Sequence, residues 1–173
     1  MGVKIYSRAE WGAQPPAKSM TRQDRPSEAF IHYSDSPNAS RLNSFQEQAA
    51  AVRAIQSFHI NGRGWSDVAY HYIVAQPYLP LLRARVFRGR NTMYVPAAKE
   101  GHNTGTIAIC VLAGPGDKLK RNTRYAIEEL LRAHSTVKTV GGHRDATSTD
   151  CPGDEIYAAI PTIARAAGKR VYR

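Results

Sequence analysis

Two residue types in this chain can hold a divalent metal and still leave room for chemistry: six histidines, which offer neutral nitrogens, and two cysteines, which offer thiolates. A catalytic zinc ion takes three such ligands and keeps one position open for water or a carbonyl oxygen. The histidines are His32, His59, His71, His102, His134 and His143. His32 falls near the end of the segment EAFIHYS, just ahead of a polar turn, and His143 ends VKTVGGH, immediately after Gly141-Gly142. Strand ends are where α/β proteins build their sites. Cys151 follows His143 by eight residues in STDCPGD, a loop long enough to fold back and bring a thiolate beside an imidazole. His32, His143 and Cys151 are therefore the candidate ligands of one zinc ion. A lone histidine is more often a surface or hydrogen-bonded residue than a ligand, and spacing alone leaves that alternative open.

The remaining candidates read more plainly. His59 and His134 lie near helix C-termini, where the dipole favours an imidazolium, and no chemistry is assigned to them. His71 neighbours Tyr70 and so points to the opposite sheet face, a structural position. Cys110, inside TIAICVLAG, reads as a buried, inert thiol. Two cysteines in such different settings fit a ligand and a core residue better than a bridge.

These side chains need elements to position them. EAFIHYS (28–34) is the first clear strand. A helix follows over 44–60, opened by the capping box of Ser44 and Glu47 and ended by Asn61-Gly62. Ala51, Ile55 and Phe58 share its apolar face. Segments 69–75 and 84–90 are strands, with Gly89 a bend, and 91–103 is an irregular loop. TIAICVLAG (106–114) is apolar on both faces, as a central strand is. A helix over 122–134 turns Ile127, Leu130 and Leu131 inward, a short strand spans 137–143, and a last helix spans 154–167 with Pro161 as a kink. Alternating strands and helices specify an α/β fold with a single mixed β-sheet and helices packed on its faces. One domain spans 1–173, its core about 5–165, with a basic, solvated tail at 168–173.

Charge narrows the partners. With 24 Lys and Arg against 14 Asp and Glu, the net charge is +10, which attracts polyanions. The basic residues are spread along the chain and no helix-turn-helix, zinc-finger or RNP signature accompanies them, so specific nucleic-acid reading is not expected. No run of about 18 apolar residues exists, so no membrane span is expected. The N-terminal stretch lacks the apolar region of a secretory signal, so any export would take another route.

Read in order, Trp11, IHYSDS, GWSDVAYHYIV, VFRGR, GHNTGTIAICVLAG and GHRDATSTDCPGDEIY resemble the zinc-dependent N-acetylmuramoyl-L-alanine amidases, a group related to peptidoglycan recognition proteins and phage amidase-type endolysins. The resemblance covers roughly residues 5–165, and GHRD followed by CPG is its most specific part. It implies one zinc ion on His32, His143 and Cys151. It implies catalytic assistance from Tyr70, in AYHY, and a site-facing Thr149, two residues before the cysteine. A threonine rather than a lysine there leaves the charged stabiliser of the oxyanion unassigned. It also places His102 and Asn103, in the GHN segment, near the sugar-peptide groove, although capping of its own loop is the ordinary role for Asn103. Asp145 would brace a ligand or pair with an arginine, and Trp65 reads as core before groove wall.

The recycling amidases of similar fold carry an acidic residue on the strand that here reads TIAICVL. Its absence favours the lysin or recognition-protein branch, and the lack of an extra cysteine pair near the first helix favours a phage or bacterial origin. The implied activity is hydrolysis of the amide between N-acetylmuramic acid and L-alanine in bacterial peptidoglycan. The alternative is a recognition module that binds peptidoglycan without cutting it. The expected partners are peptidoglycan and an anionic wall surface, met by a monomer made in a host cytoplasm without a signal peptide and acting on the wall after release.

Overall fold

The chain is described by a computed structural model covering residues 3–79 and 82–173. Its strands are β1 (Ile5–Tyr6), β2 (Glu28–Tyr33), β3 (Tyr72–Ala75), β4 (Arg85–Arg88), β5 (Thr106–Leu112), β6 (Thr139–Gly142) and β7 (Arg170–Val171). They form one sheet in the order β1-β4-β3-β5-β2-β6-β7. The β3–β4 pair is antiparallel and the rest are parallel, so the sheet is mixed as expected. All seven residues of β5 are buried, the signature of a central strand covered on both faces.

Helices α3 (Arg121–Ala133) and α4 (Asp154–Ala166) cover one face and bury Ile127, Leu131, Ile156 and Ile163 against Ile31, Ile109 and Val111. Helices α1 (Arg8–Trp11) and α2 (Phe45–Ser57) cover the other, where Trp11 and Val52 meet Ile73, Phe87, Cys110 and Leu112. Since side chains alternate along a strand, His32, in register with Cys110, projects toward this second layer. Helix α4 runs through Pro161 without ending.

The capping box forms as the sequence requires: Glu47 N–H donates to Ser44 Oγ at 3.1 Å, and Ser44 N–H to Glu47 Oε2 at 2.8 Å. The inner face of α2 differs from expectation. It is Gln48, Ala49, Val52 and Gln56 that are buried, while Ala51 and Ile55 are half-buried and Phe58 is exposed. The glutamines are tolerated inside because their amides are bonded. Gln48 Nε2 donates to Leu42 and Gln76 carbonyls, and Gln56 Nε2 to the Gln14 carbonyl and to Asp67 Oδ1 at 2.7 Å. After Ser57 the helix widens into a π turn over Phe58–Gly62.

The tail is largely exposed, but its backbone is ordered. Arg170 and Tyr172 N–H groups donate to the Lys138 and Val140 carbonyls, which makes β7 an edge strand. The Tyr172 ring packs edge-on against Phe30, with centroids 4.9 Å apart. Two-residue strands such as β1 and β7 are too short to show alternation in sequence. Among the described residues, no helix is long and apolar enough to cross a membrane.

His59 and His134 are both shifted away from the imidazolium form. Burial, with Arg90 and Arg63 adding repulsion, pushes His59 down to about 4. Burial likewise lowers His134, whose Nε2 meets the Tyr72 hydroxyl at 2.9 Å. Loss of solvent outweighs the helix dipole in both. His71 is structural, as expected: its Nδ1 accepts from Ala108 N–H at 3.0 Å, so its Nε2–H donates to the Tyr94 carbonyl at 2.9 Å. Burial holds it at about 4.

The folded pKa values of His59 and His71 lie below the unfolded value near 6.5. Their neutral forms therefore stabilise the fold above about pH 6.5, and that contribution is lost as pH falls toward 4. Thermal melts should show Tm falling steadily over this window. A flat Tm from pH 7 to pH 4 would contradict the assignment.

Candidate metal centre and groove

Strands β2 and β6 lie side by side in parallel, with Ile31 paired to Gly142, so His32 and His143 emerge at neighbouring strand ends. Their rings sit 4.7 Å apart between centroids. The double glycine makes room for this. A Cβ at Gly142 would meet Tyr157 at 2.8 Å and Ile160 at 3.0 Å, and one at Gly141 would meet Tyr172 at 2.9 Å and Phe30 at 3.1 Å.

Beyond His143 the loop is tied down by its own charges. Asp145 accepts from Gly142 N–H at 2.8 Å and from the Tyr157 hydroxyl, so it braces the loop. The arginine beside it pairs elsewhere, Arg144 with Asp154 at 2.7 Å, while Arg144 N–H donates to the Cys151 carbonyl. The returning chain places Cys151 Sγ 3.9 Å from His32 Nδ1, and Tyr33 N–H donates to the same sulfur at 3.4 Å. One ligand atom from each of His32, His143 and Cys151 lies within 4.8 Å of the others.

The donor set fits zinc. Tetrahedral coordination at roughly 2.0–2.3 Å per bond separates donor atoms by about 3.3–3.8 Å, near the spacing observed. Burial pulls His32 well below its usual range, aided by His143 and Lys99, and burial and Lys99 lower His143. Both imidazoles are thus neutral and ready to ligate. His32 Nε2 is buried without a hydrogen-bond partner. Burial pushes the Cys151 thiol up to about 12 against the pull of Tyr33 N–H, so only a bound cation would make it a thiolate.

Tyr70 stands beside the ligands, its ring 5.4 Å from that of His32 and 5.6 Å from that of His59. Its phenol is raised well above 10, by burial first and then by the two cysteines, and stays protonated. Thr149, whose Oγ1 accepts from Cys151 N–H at 3.3 Å, faces the same groove. The groove encloses about 760 Å³, the size of an ordinary ligand site. One wall is apolar, built by Ala51, Ala54, Ile55 and Phe58. These include the three residues read from the sequence as the inner face of α2. The other wall is polar, running through Ser34, Asp35 and Ser36 and through Thr149 and Asp150.

His102 and Asn103 do not line this groove. Asn103 Oδ1 accepts from the Ala98 and Lys99 N–H groups at 2.9 and 2.8 Å, a loop cap, and His102 is exposed. Trp65 belongs to neither core and packs half-buried on His59. Sequence reasoning missed Arg63, which lines the groove with its guanidinium over the Phe58 ring at 5.4 Å and the Trp65 ring at 5.6 Å. It missed Lys99, a buried cation 3.2 Å from the Phe30 ring centroid and lowered to about 8 by burial. It also missed the buried frame behind Tyr70. Asp67 accepts from Gln56 and Val68 N–H at 2.7 Å each and pairs with Arg8 at 2.8 Å, while Arg90 donates to the Val68, Val95 and Asp67 carbonyls. Asp67 follows Ser66 and Arg90 lies between Gly89 and Asn91, so neither stands out in the sequence.

No protein-family model matches the chain. Over 172 residues, 93% of its length, it is 28% identical to an N-acetylmuramoyl-L-alanine amidase of Sus scrofa, but it spans only 27% of that protein. It is 26% identical to peptidoglycan-recognition protein SC1a/b of Drosophila simulans, covering 92% of this chain and 85% of the relative. Among solved structures, the ectodomain complex of peptidoglycan recognition proteins LCa and LCx bound to tracheal cytotoxin superposes with a TM-score of 0.79 at 28% identity, covering 91% of this chain and 94% of the other. Over nearly its whole length the chain is thus similar to N-acetylmuramoyl-L-alanine amidases and peptidoglycan-recognition proteins in sequence and in fold. In this chain the frame around Asp67 holds the Tyr70 wall against the wall of His32, His143 and Cys151. Asp67→Ala should destabilise the domain by about 3 kcal/mol, because Arg8 and two buried N–H donors lose their acceptor. Urea denaturation measures this, and a loss below about 1 kcal/mol would remove Asp67 from that role.

Proposed function

We propose that the chain is a zinc-dependent amidase that hydrolyses the bond between N-acetylmuramic acid and L-alanine in bacterial peptidoglycan. The observation that carries this reading is the meeting of His32, His143 and Cys151 with Tyr70 and Thr149 in one groove. Zinc held there would supply an acidified water and polarise the scissile carbonyl. The chain's own residues supply the rest. The apolar wall of α2 packs the substrate and excludes water on one side. The Tyr70 hydroxyl, protonated throughout the working pH range, donates a hydrogen bond to the oxygen on which charge develops. Thr149 uses an oxygen lone pair for Cys151 N–H, so its own O–H is free to donate toward the same space.

Retention of the cysteine supports cutting rather than binding alone. The recognition names among its relatives keep a non-hydrolytic module as the second reading. A role in bacterial lysis, as a phage endolysin or its catalytic domain, is the finer form of this proposal.

Turbidity clearing of cell walls should stop with chelator and return with added zinc; clearing unaffected by chelation would sink the enzyme reading. Cys151→Ser should abolish hydrolysis while the domain still folds. Tyr70→Phe should lower kcat by about a hundredfold to a thousandfold with zinc content unchanged, the range expected for losing one oxyanion donor. Loss of zinc instead would make the tyrosine structural. No carboxylate among the described residues pairs with Arg63, so it is available to an acidic group of the stem peptide. Arg63→Ala should raise KM several-fold with kcat nearly kept.

A further inference from the structure

A second concavity, of about 630 Å³, lies at the other edge of the sheet. Its walls are the β1 segment with Lys4 and Tyr6, the approach to β4 with Leu82, Arg83 and Arg85, and the flank of α3 carrying Tyr125. Three strands separate β1 from β2, so this edge stands four strand spacings, ~19 Å, from the strand that carries His32. The two cavities share no residue.

Its chemistry differs from that of the metal groove. The metal groove sets Asp35 and Asp150 against Arg63, whereas the second cavity is lined by three cations and no carboxylate. Two of the cations have defined contacts. Arg85 NH1 donates to the Asn43 carbonyl at 3.1 Å and to Gln48 Oε1 at 3.0 Å. Lys4 Nζ sits 4.3 Å from the Tyr6 ring centroid. Its contact with Glu10, at 3.6 Å between exposed side chains, is screened and neutralises little. Between the cations lie two large side chains left in water, Leu82 at 42% and Tyr125 at 46% exposure. Guanidinium groups match phosphate oxygens in geometry and charge, and an exposed tyrosine and leucine accept the C–H face of a polyol. A concave strip with cations inside it takes a single chain better than a flat surface.

We propose that this cavity is a second binding site, for a phosphodiester-linked polyol chain, that holds the domain on an anionic wall polymer independently of the metal groove. The probe is a labelled poly(glycerol phosphate) oligomer, titrated into the full chain at two salt concentrations. The double variant Lys4→Glu/Arg83→Glu should weaken binding by about tenfold or more and flatten the salt dependence, as loss of phosphate contacts does. Lys138→Glu/Arg173→Glu, an equal change of charge at exposed positions outside the cavity, should change it less than about threefold. Tyr125→Ser should weaken binding without altering the salt slope. Hydrolysis of a small soluble muropeptide should be the same in all of them, so the outcome here and that of the amidase reading are separable. Equal weakening by both double variants would reduce the effect to overall charge and overturn the proposal. So would binding to phosphatidylglycerol vesicles that depends on Lys4 and Arg83 while the soluble polymer is ignored.

Discussion

The structure depends on one pairing, the parallel register of β2 against β6. It sets two imidazoles from strands more than a hundred residues apart at the same level of the sheet, with no hydrogen bond between them. The pairing is close because Gly141 and Gly142 carry no side chains where Phe30, Tyr172, Tyr157 and Ile160 crowd in. The same crowding anchors the elements around the site. Tyr157 comes from α4 and bonds Asp145, which caps the turn that opens with His143. Tyr172 brings β7 onto the outer edge of β6. A side chain at either glycine would disturb the ligands, the return loop and the C-terminal strand together.

The opposite wall is held by different physics. Tyr70 lies just before β3, its carbonyl accepting from Arg90 N–H at 2.9 Å, and a buried polar frame supports this backbone from behind. Asp67, Arg8, Arg90 and Gln56 share their donors and acceptors almost entirely with one another and with nearby backbone. Gly89 lets β4 approach that backbone, since a Cβ there would lie 2.1 Å from the Tyr70 carbonyl oxygen. Such frames are costly to break and poor as sources of net stability, but they specify one geometry. A rigid tyrosine wall facing a rigid ligand wall is what a groove with a fixed reacting centre requires.

What was legible in the sequence follows from how local each signal is. The capping box at Ser44, the doubly buried run of β5 and the ligand positions at strand ends are written in adjacent residues. The buried face of α2 was misread because its inward positions include Gln48 and Gln56, which look like solvent-facing residues until their partners at Gln14, Leu42, Asp67 and Gln76 are known. His59 and His134 were misread for the same reason. Helix position was visible, but the depth of burial and the neighbouring Arg63, Arg88 and Arg90 were not. Arg63 and Lys99 carry no mark in the sequence. Their importance comes from rings and imidazoles contributed by distant segments.

The electrostatics of the centre bear on how it would load. Within a chain of net charge +10, a divalent cation must be drawn to three ligands none of which is an acidic residue, with Lys99 acting on both histidines. The lysine works against a cation by repulsion and for it by adding to burial, the larger cause, in disfavouring protonation of both imidazoles, so that no histidine proton has to leave near neutral pH. The remaining proton is on Cys151, buried and held up to about 12. Loading would therefore release one proton from the sulfur. The thiolate left behind cancels one of the two incoming charges, and Tyr33 N–H already points at it. The affinity of the site would then rise with pH through the cysteine alone. A histidine in that third place would supply neither the negative charge nor the proton linkage, which makes the thiol the member of the set that suits this strongly basic protein.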